Sequence, residues 1–277
     1  MKKSLLILFA SIVLIGASCS LSETMQAEKP ADGASLSELG YGEGSMVKLF
    51  YSHCFAIQTF GKGTFMGYIE IENAAYQKQV VVHYELDGVW SDLAASYVKS
   101  LGNNKELWYF TYTNIGFNPF GGWDINFAIK YVVNGQTYWD NNGGADYHVG
   151  AGPRNFYPDF AWSKSIAAMQ NAQYNNIVDE PFFTGRVYTK YAEGDKSVKI
   201  VYTTDNWATV KECPAQYSYD DSDFTGGNKY SVWWYVVPIE GSPAEIKFAI
   251  AYTLNGSTAW DNNFGRNYTL VPVTIWE

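Results

Sequence analysis

The sequence predicts an all-β protein built from two tandem β-sandwich modules, and three observations support this. From Val47 onward, runs of β-branched and aromatic residues such as Tyr68–Glu72 and Val80–Tyr84 favour strands. Turn-forming pairs such as Asp87-Gly88 and Asn134-Gly135 interrupt these runs at short intervals. Finally, the whole pattern occurs twice. Many short strands at this spacing are typical of a sandwich of about 100 residues.

The repetition is an internal duplication. Residues 127–142 align with residues 248–263, and each segment contains Trp-Asp-Asn-Asn. Upstream, Trp90 aligns with Trp207 after a one-residue deletion. A short helix is predicted over residues 162–170, between the repeats. The predicted divisions are a signal segment (1–19), a flexible tether (20–46), the first module (47–150), a linker (151–179) and the second module (180–277).

The N-terminal segment predicts export. A basic start, Met1-Lys2-Lys3, precedes an apolar run from Leu5 to Ala17 that is shorter than the roughly 20 residues needed to span a bilayer. Small residues precede Cys19, as in a bacterial lipoprotein signal, and predict lipidation of that cysteine. The alternative is ordinary cleavage near Ala17. The expected location is therefore secreted or at the bacterial cell surface, with membrane contact only through the lipid.

Composition excludes several functions. The formal net charge is −9, with 28 acidic and 19 basic residues, which disfavours nucleic acid as a partner. The three histidines, His53, His83 and His148, lack metal-ligand spacing, so neither a metal nor a cofactor is expected. We interpret His83 as a strand residue rather than a ligand. The chain contains 10 Trp and 22 Tyr, whose rings serve either a core or a binding surface.

The hairpin that ends each repeat carries the candidate chemistry. An indole can stack on the apolar face of a sugar ring, while asparagine amides donate to and accept from its hydroxyls. We therefore predict that Trp139 and Trp260 contact a sugar. The alternative is that these indoles are core residues and the asparagines bond their own backbone. Structural roles are predicted for two aspartates and two tyrosines: Asp140, Asp261, Tyr147 and Tyr268.

These segments resemble carbohydrate-binding module family 21, and the related family 53 is similar. The resemblance rests on the Phe-Ala-Ile strand, the Trp-Asp-Asn-Asn loop and the closing tyrosine, and it covers both modules. It implies immunoglobulin-like β-sandwiches that bind α-glucan, namely starch, glycogen or maltooligosaccharides, without catalysis. Such modules occur in fungal glucoamylases and in glycogen-targeting subunits of a protein phosphatase.

The resemblance also implies which residues bind the sugar. It assigns stacking and polar contacts to four residues in each module: Trp90, Trp139, Asn141 and Asp146 in the first, and Trp207, Trp260, Asn262 and Asn267 in the second. A second surface in some members uses a Tyr-x-Lys unit, which Tyr76 and Lys78 match here, whereas Gly194 replaces the tyrosine in the second module. A tyrosine that some members carry is replaced by Ala128 in the first module and by Ala249 in the second, so that contact is lost in both.

Two other functions remain as alternatives. A small secreted β-sandwich glycosidase would need a pair of carboxylates across a cleft, and no such pair is kept in both repeats. A protein-binding adhesion or scaffold module would use the same fold. Extracellular glucan-degrading enzymes are expected as functional partners. A phosphatase partner is excluded on the ground of the predicted export.

Overall fold

The computed structural model describes residues 45–57, 62–116, 123–151, 159–165, 167–175, 181–222 and 229–273. These residues form twenty β-strands, with one short 3-10 helix at Asn142–Gly144 in the first repeat's loop. The all-β prediction, with two tandem sandwich modules, is confirmed. In the part of the chain that the structure describes, no helix has the length and apolar character to cross a membrane.

The first module is a sandwich of two sheets. One sheet has the strand order β10-β1-β2-β6-β5, and the other has the order β4-β3-β7-β8 with β9 also paired to β7. The strands are β1 (Val47–Ile57), β2 (Lys62–Glu72), β3 (Lys78–Leu86), β4 (Val89–Ala94), β5 (Ser96–Gly102), β6 (Lys105–Gly116), β7 (Trp123–Val133), β8 (Gln136–Asp140), β9 (Tyr147–Ala151) and β10 (Asp159–Trp162).

The second module repeats this arrangement. Its sheets have the orders β15-β16-β12-β11-β20 and β14-β13-β17-β18, with β19 paired to β17. The strands are β11 (Ala167–Asn175), β12 (Phe182–Lys190), β13 (Lys196–Thr203), β14 (Lys211–Pro214), β15 (Gln216–Ser222), β16 (Lys229–Pro238), β17 (Ile246–Leu254), β18 (Ser257–Asp261), β19 (Tyr268–Leu270) and β20 (Pro272–Val273).

Each module has its own apolar core between its two sheets. Phe65 meets Phe110 and Phe127 edge to face in the first module, with ring centroids 5.0 and 5.1 Å apart. Phe183 and Phe248 lie at the corresponding place in the second core, 5.7 Å apart. The alternation of buried and exposed side chains along the strands therefore directs the same aromatic positions inward in both repeats.

The helix predicted between the modules is wrong. Asp159–Trp162 instead pairs antiparallel with β1, and Ala167–Asn175 pairs antiparallel with β12. Between these strands, the backbone nitrogens of Ser163 and Lys164 donate to the carbonyls of Phe50 and Leu49, each at 3.1 Å. Pairing with two sheet edges satisfies this backbone more completely than an isolated turn of helix would, so tertiary contacts override the local pattern.

The strand β10 also joins the modules through its side chains. Phe160 stacks on Trp162 at 4.7 Å, and its ring lies 5.0 Å from Tyr188 and 5.8 Å from Tyr230 of the second module. These residues and Val232 form a buried aromatic cluster. The modules therefore share an apolar interface in addition to their covalent connection.

Candidate functional site

The two site hairpins begin with the predicted turns. Asn134 and Gly135 have φ values of 51° and 72°, and Asn255 and Gly256 have φ values of 49° and 82°. Positive φ at both central residues is the requirement of the two-residue hairpin turn that Asn-Gly favours. Each turn fixes the register of the next strand, which places Trp139 opposite Lys130 and Trp260 opposite Ala251.

In the first module, the two predicted indoles lie on one solvent-facing surface. Trp90 is on β4 and Trp139 is on β8, at the two edges of the same sheet, and each is 47% exposed. His83 of β3 lies between them. Its ring stacks on Trp90 with centroids 4.7 Å apart and planes 17° apart, and it meets Trp139 edge-on at 6.0 Å and 75°. We call Trp90, His83 and Trp139 the aromatic platform.

Two charged groups flank the aromatic platform. Asp92 Oδ1 lies 2.6 Å from His83 Nδ1, and Lys130 Nζ lies 5.9 Å from the centroid of the Trp139 ring. The carboxylate fixes the orientation of the imidazole, and the ammonium lies at cation–π distance from the indole. The platform is therefore an apolar surface with polar groups around its rings.

The aspartate that follows Trp139 has a structural role, as predicted. Asp140 is buried, and its carboxylate accepts from the backbone nitrogen of Leu49 at 2.8 Å and from Lys48 Nζ at 2.9 Å. The Tyr147 hydroxyl lies 2.9 and 3.0 Å from the two carboxylate oxygens. These bonds attach the end of β8 to β1 and β9, so the loop that follows starts from a fixed point.

The predicted polar residues of this loop are half-buried. Asn141 Oδ1 accepts from the Gly144 nitrogen at 3.1 Å, and the Asn141 carbonyl accepts from the Asp146 nitrogen at 2.9 Å. Asp146 has a φ of 56°, in the left-handed region. Asn141 therefore shapes the loop with its side-chain oxygen and with its carbonyl oxygen.

The second binding surface predicted for this module contains an exposed tyrosine ring and a lysine that is ion-paired and hydrogen-bonded to its neighbours. Tyr76 is 99% exposed. Lys78 pairs with Glu106 at 2.9 Å and also donates to Asn73. The ammonium is therefore engaged in a local network, and the tyrosine ring is the part of the unit that is open to a ligand.

In the second module, the tryptophans predicted to bind sugar are less exposed than Trp90 and Trp139. Trp207 is half-buried in the loop between β13 and β14. Its φ is 69°, and its backbone nitrogen donates to Thr203 Oγ1 at 3.0 Å. Bonds from the Thr209 nitrogen and from the hydroxyls of Thr203 and Thr209 lower the pKa of Asp205 in this loop to about 2. Trp260 is also half-buried.

The second loop is closed off from solvent at its asparagine. Asn262 is 5% exposed, and its Oδ1 accepts from the Gly265 nitrogen at 2.7 Å. Asn267 is half-buried, and its Oδ1 is buried without a hydrogen-bond partner among the residues that the structure describes. Burial raises the pKa of Asp261 to about 6, although bonds from Tyr268 and from the Asn263 nitrogen favour the carboxylate. Of the four residues predicted for the second site, Asn262 is thus buried, and the other three are half-buried.

At the tip of this loop, Phe264 packs on the first module. Its ring lies 4.9 Å from Phe50 and 4.9 Å from Tyr68, and its carbonyl accepts a hydrogen bond from Lys99. Burial, together with the nearby Arg266, lowers the pKa of Lys99. The aligned residue in the first loop is Gly143, which has no side chain to make such a contact.

Sequence reasoning missed His83 and Phe264. The duplication contained a signal for both, because His83 aligns with Val201 and Phe264 aligns with Gly143, so each differs from its counterpart in size and chemistry. Differences between repeats point to divergence of function, whereas the prediction relied on their similarities. Cys19, the predicted lipidation site, lies outside the described residues.

A tandem β-sandwich that displays two indoles beside loop amides has the features of a carbohydrate-binding protein. Residues 45–150 and 163–271 each match the carbohydrate/starch-binding module family 21, which covers most of the chain. The chain therefore belongs to this family, as the sequence predicted.

Individual relatives match one module's length of the chain. A stretch of 101 residues is 34% identical to Protein phosphatase 1 regulatory subunit 3B of Danio rerio and covers 36% of this chain and 34% of that protein. A stretch of 93 residues is 41% identical to Glucoamylase 1 of Rhizopus oryzae and covers 31% of this chain and 14% of that protein. The chain thus spans about a third or less of these curated relatives.

A solved structure is also similar over one module. It is the carbohydrate-binding module of the muscle glycogen-targeting subunit of Protein Phosphatase-1, which is 22% identical, with a TM-score of 0.31. The match covers 38% of this chain and 74% of that one.

The predicted location is wrong. We expected a secreted or cell-surface bacterial lipoprotein, but the relatives include regulatory subunits of Protein phosphatase 1 from Danio rerio, Bos taurus and Homo sapiens, and a glycogen-binding subunit from Drosophila melanogaster. The exclusion of a phosphatase partner rested on export, so its basis falls with this correction.

Proposed function

We propose that the protein binds α-1,4-glucan without catalysis, and that the aromatic platform of the first module is its principal site. The main support for this proposal is that Trp90 and Trp139 are both about half-exposed on one face of the same sheet, with His83 between them. Asn141 and Asp146 supply polar contacts from the adjoining loop. Starch, glycogen and maltooligosaccharides are the ligands of this proposal.

The angle between the indole rings of Trp90 and Trp139 favours a curved glucan chain as the ligand. His83 is nearly parallel to Trp90 and steeply inclined to Trp139, so the two indole planes are far from coplanar. An α-1,4-linked chain turns between successive sugars, and each sugar offers an apolar face to a different direction. A flat β-1,4-linked chain would instead favour coplanar rings. The platform therefore suits starch or glycogen better than cellulose.

Two acidic residues on strands of the first module, Glu70 and Glu85, are engaged in structural contacts, which supports a non-enzymatic role for the whole protein. Glu70 pairs with Lys164 at 2.6 Å and with Lys105 at 3.0 Å. Glu85 accepts from the Gly88 nitrogen at 2.5 Å and from Asn126 Nδ2 at 3.0 Å. A glycosidase needs one carboxyl group free to donate a proton and a second to act as nucleophile or base.

The two modules contribute unequally in this proposal. Docking of the second loop on the first module restricts access to Asn262 and Asn267, so Trp207 and Trp260 form a weaker site. Tyr76 adds a peripheral stacking surface to the first module. The glucan is the partner that we propose; the enzyme partners expected from the sequence depended on the location that is now corrected.

Titration calorimetry with maltoheptaose tests the proposal. We expect one principal site per chain, together with retention on insoluble starch and glycogen but not on cellulose or xylan. No reducing sugar should be released from soluble starch at a rate proportional to purified protein. Retention on cellulose without retention on starch would contradict the α-glucan assignment, and proportional sugar release would contradict the non-catalytic role.

A further inference from the structure

His83 occupies the centre of the aromatic platform. It is the register partner of Ala128 on the neighbouring strand β7, where the family resemblance implied an aromatic contact that this chain lacks. The small alanine leaves the surface beside it to the imidazole, which touches both indoles. In the second module the aligned residue is Val201, which is 1% exposed and offers no polar atom.

The contact with Asp92 determines which ring nitrogen of His83 faces a ligand and which one carries a proton toward the carboxylate. A carboxylate only accepts hydrogen bonds, so Nδ1 of His83, 2.6 Å from Asp92 Oδ1, carries a proton. In the neutral ring, Nε2 then bears a lone pair that can accept from a sugar hydroxyl. In the charged ring, Nε2 carries a proton and donates to a hydroxyl oxygen. The side chain is 37% exposed, so the ring is open to a ligand on the platform.

We infer that His83 is a positioning and binding residue of the glucan site, which sets the spacing and angle of the two indoles and gives a sugar hydroxyl its hydrogen-bond partner at Nε2. This inference rests on the proposed function of the platform. It adds a residue whose ring and nitrogen have separable roles: the ring separates Trp90 from Trp139, and the nitrogen contacts the ligand between them.

Three substitutions separate the ring from the nitrogen. His83→Phe keeps a ring against Trp90 but removes Nε2. His83→Gln keeps a polar group at about the same reach but removes the ring. His83→Met has the length of Gln and lacks both features. The exposure of His83 at the surface favours folding of all three, which circular dichroism and thermal melting would check.

The measurement is the dissociation constant for maltoheptaose by calorimetry, with Trp139→Ala as the reference for loss of the site. One net hydrogen bond and one aromatic contact each correspond to a factor of about 5. We therefore expect His83→Phe and His83→Gln to bind about 5-fold more weakly than the wild type, and His83→Met about 25-fold more weakly.

The outcomes are distinguishable. Binding by His83→Met within 2-fold of the wild type would overturn the inference while leaving the proposed function intact. Equal binding by His83→Gln and His83→Met would overturn the hydrogen bond, and equal binding by His83→Phe and His83→Met would overturn the spacing role. A wild-type protein that does not bind maltoheptaose would overturn the proposed function itself, and the inference with it.

Discussion

The two loops share the Trp-Asp-Asn-Asn motif, the preceding Asn-Gly turn and the closing tyrosine, yet the first faces solvent and the second packs on the first module. Gly143 stands at the tip of the first loop, and Phe264 stands at the same position of the second. The phenyl ring lies against Phe50 and Tyr68, where it is partly removed from water. A single large apolar side chain thus converts a surface loop into an interface.

The surfaces beneath the loops have diverged in parallel. The first module has His83 and Lys130 beside its exposed indole, whereas the second has Val201 and Ala251, both buried. Polar and charged groups lie on the exposed surface where we propose that a hydrophilic ligand binds, whereas the aligned positions of the second module are apolar and buried. Side-chain chemistry next to the shared motif therefore distinguishes a binding surface from an interface.

The largest expected effect concerns the segment that connects the modules. Glu70→Gln leaves the Lys164 ammonium, which is 5% exposed, without its closest carboxylate, and should lower the free energy of unfolding by about 3–5 kcal/mol. Urea unfolding would measure this loss. Glu72→Gln is the matched control, because Glu72 is 3.8 Å from the half-exposed Lys105, and it should cost less than about 1 kcal/mol. Equal losses in the two variants would contradict a special role for the Glu70 pair.

The second prediction concerns pH and the buried carboxyl of the second loop. The pKa of Asp261 rises from its usual value near 3.8 to about 6, so the native state holds the proton more tightly than the unfolded chain. The resulting stabilisation is complete below pH 4, falls as the pH rises from 4 to 6, and is lost above, for a total of about 3 kcal/mol.

Asp261→Asn should remove this dependence. Urea unfolding at pH 4.5 and pH 7 would show a smaller difference for the variant than for the wild type. Asp205 does not interfere, because its pKa is lowered to about 2, so it affects stability only below pH 4. The same slope in both proteins would show that Asp261 titrates as an exposed carboxyl.

The third prediction is that Phe264→Gly releases the second loop. Removing the ring should cost about 2–3 kcal/mol of apolar contact, less than for a fully buried Phe, because glycine relieves the positive φ of 54° at this position. Calorimetric unfolding should broaden or separate into two transitions as the modules lose coupling. Phe264→Tyr, which keeps the ring, should leave one transition. An unchanged transition in Phe264→Gly would mean that the buried aromatic cluster around Phe160 and Trp162 of β10 is sufficient to couple the modules.

The fourth prediction compares the two tryptophans directly. Trp139→Ala should weaken maltoheptaose binding by about 1–3 kcal/mol, by analogy with the loss of other aromatic stacking on flat rings. Trp260→Ala, the matched change in the docked module, should leave the affinity of the principal site within about 2-fold. If both variants lose binding equally while they stay folded, the two modules carry equivalent sites, and the first module is not the principal one.

The fold was predictable because its determinants are local and repeated. Alternating side chains and the Asn134-Gly135 and Asn255-Gly256 turns specify strands and hairpins within a few residues of sequence. The helix predicted over residues 162–170 failed because these residues pair with strands more than 15 residues away in either direction. Short segments of mixed pattern take their conformation from available sheet edges.

The candidate site was predictable in part. The placement of Trp90 and Trp139 on one face follows from strand periodicity and from the duplication, and the supporting contacts of Asp140 and Tyr147 follow from the loop motif. The second loop, in contrast, packs through Phe264 on two residues about 200 positions earlier in the chain. No local period encodes a contact at that separation, so the sequence motif alone made the two modules look equivalent.

The strand β10 belongs to the first module by its backbone and to both modules by its side chains. Without it, the eleven residues of β1 would form a long outer strand with a free row of amide and carbonyl groups, a template for adding another chain. Asp159–Trp162 acts as a cap on that edge, and its aromatic rings are in turn shielded by Tyr188 and Tyr230. The second module thus shields the strand that keeps the edge of the first module from pairing with another chain.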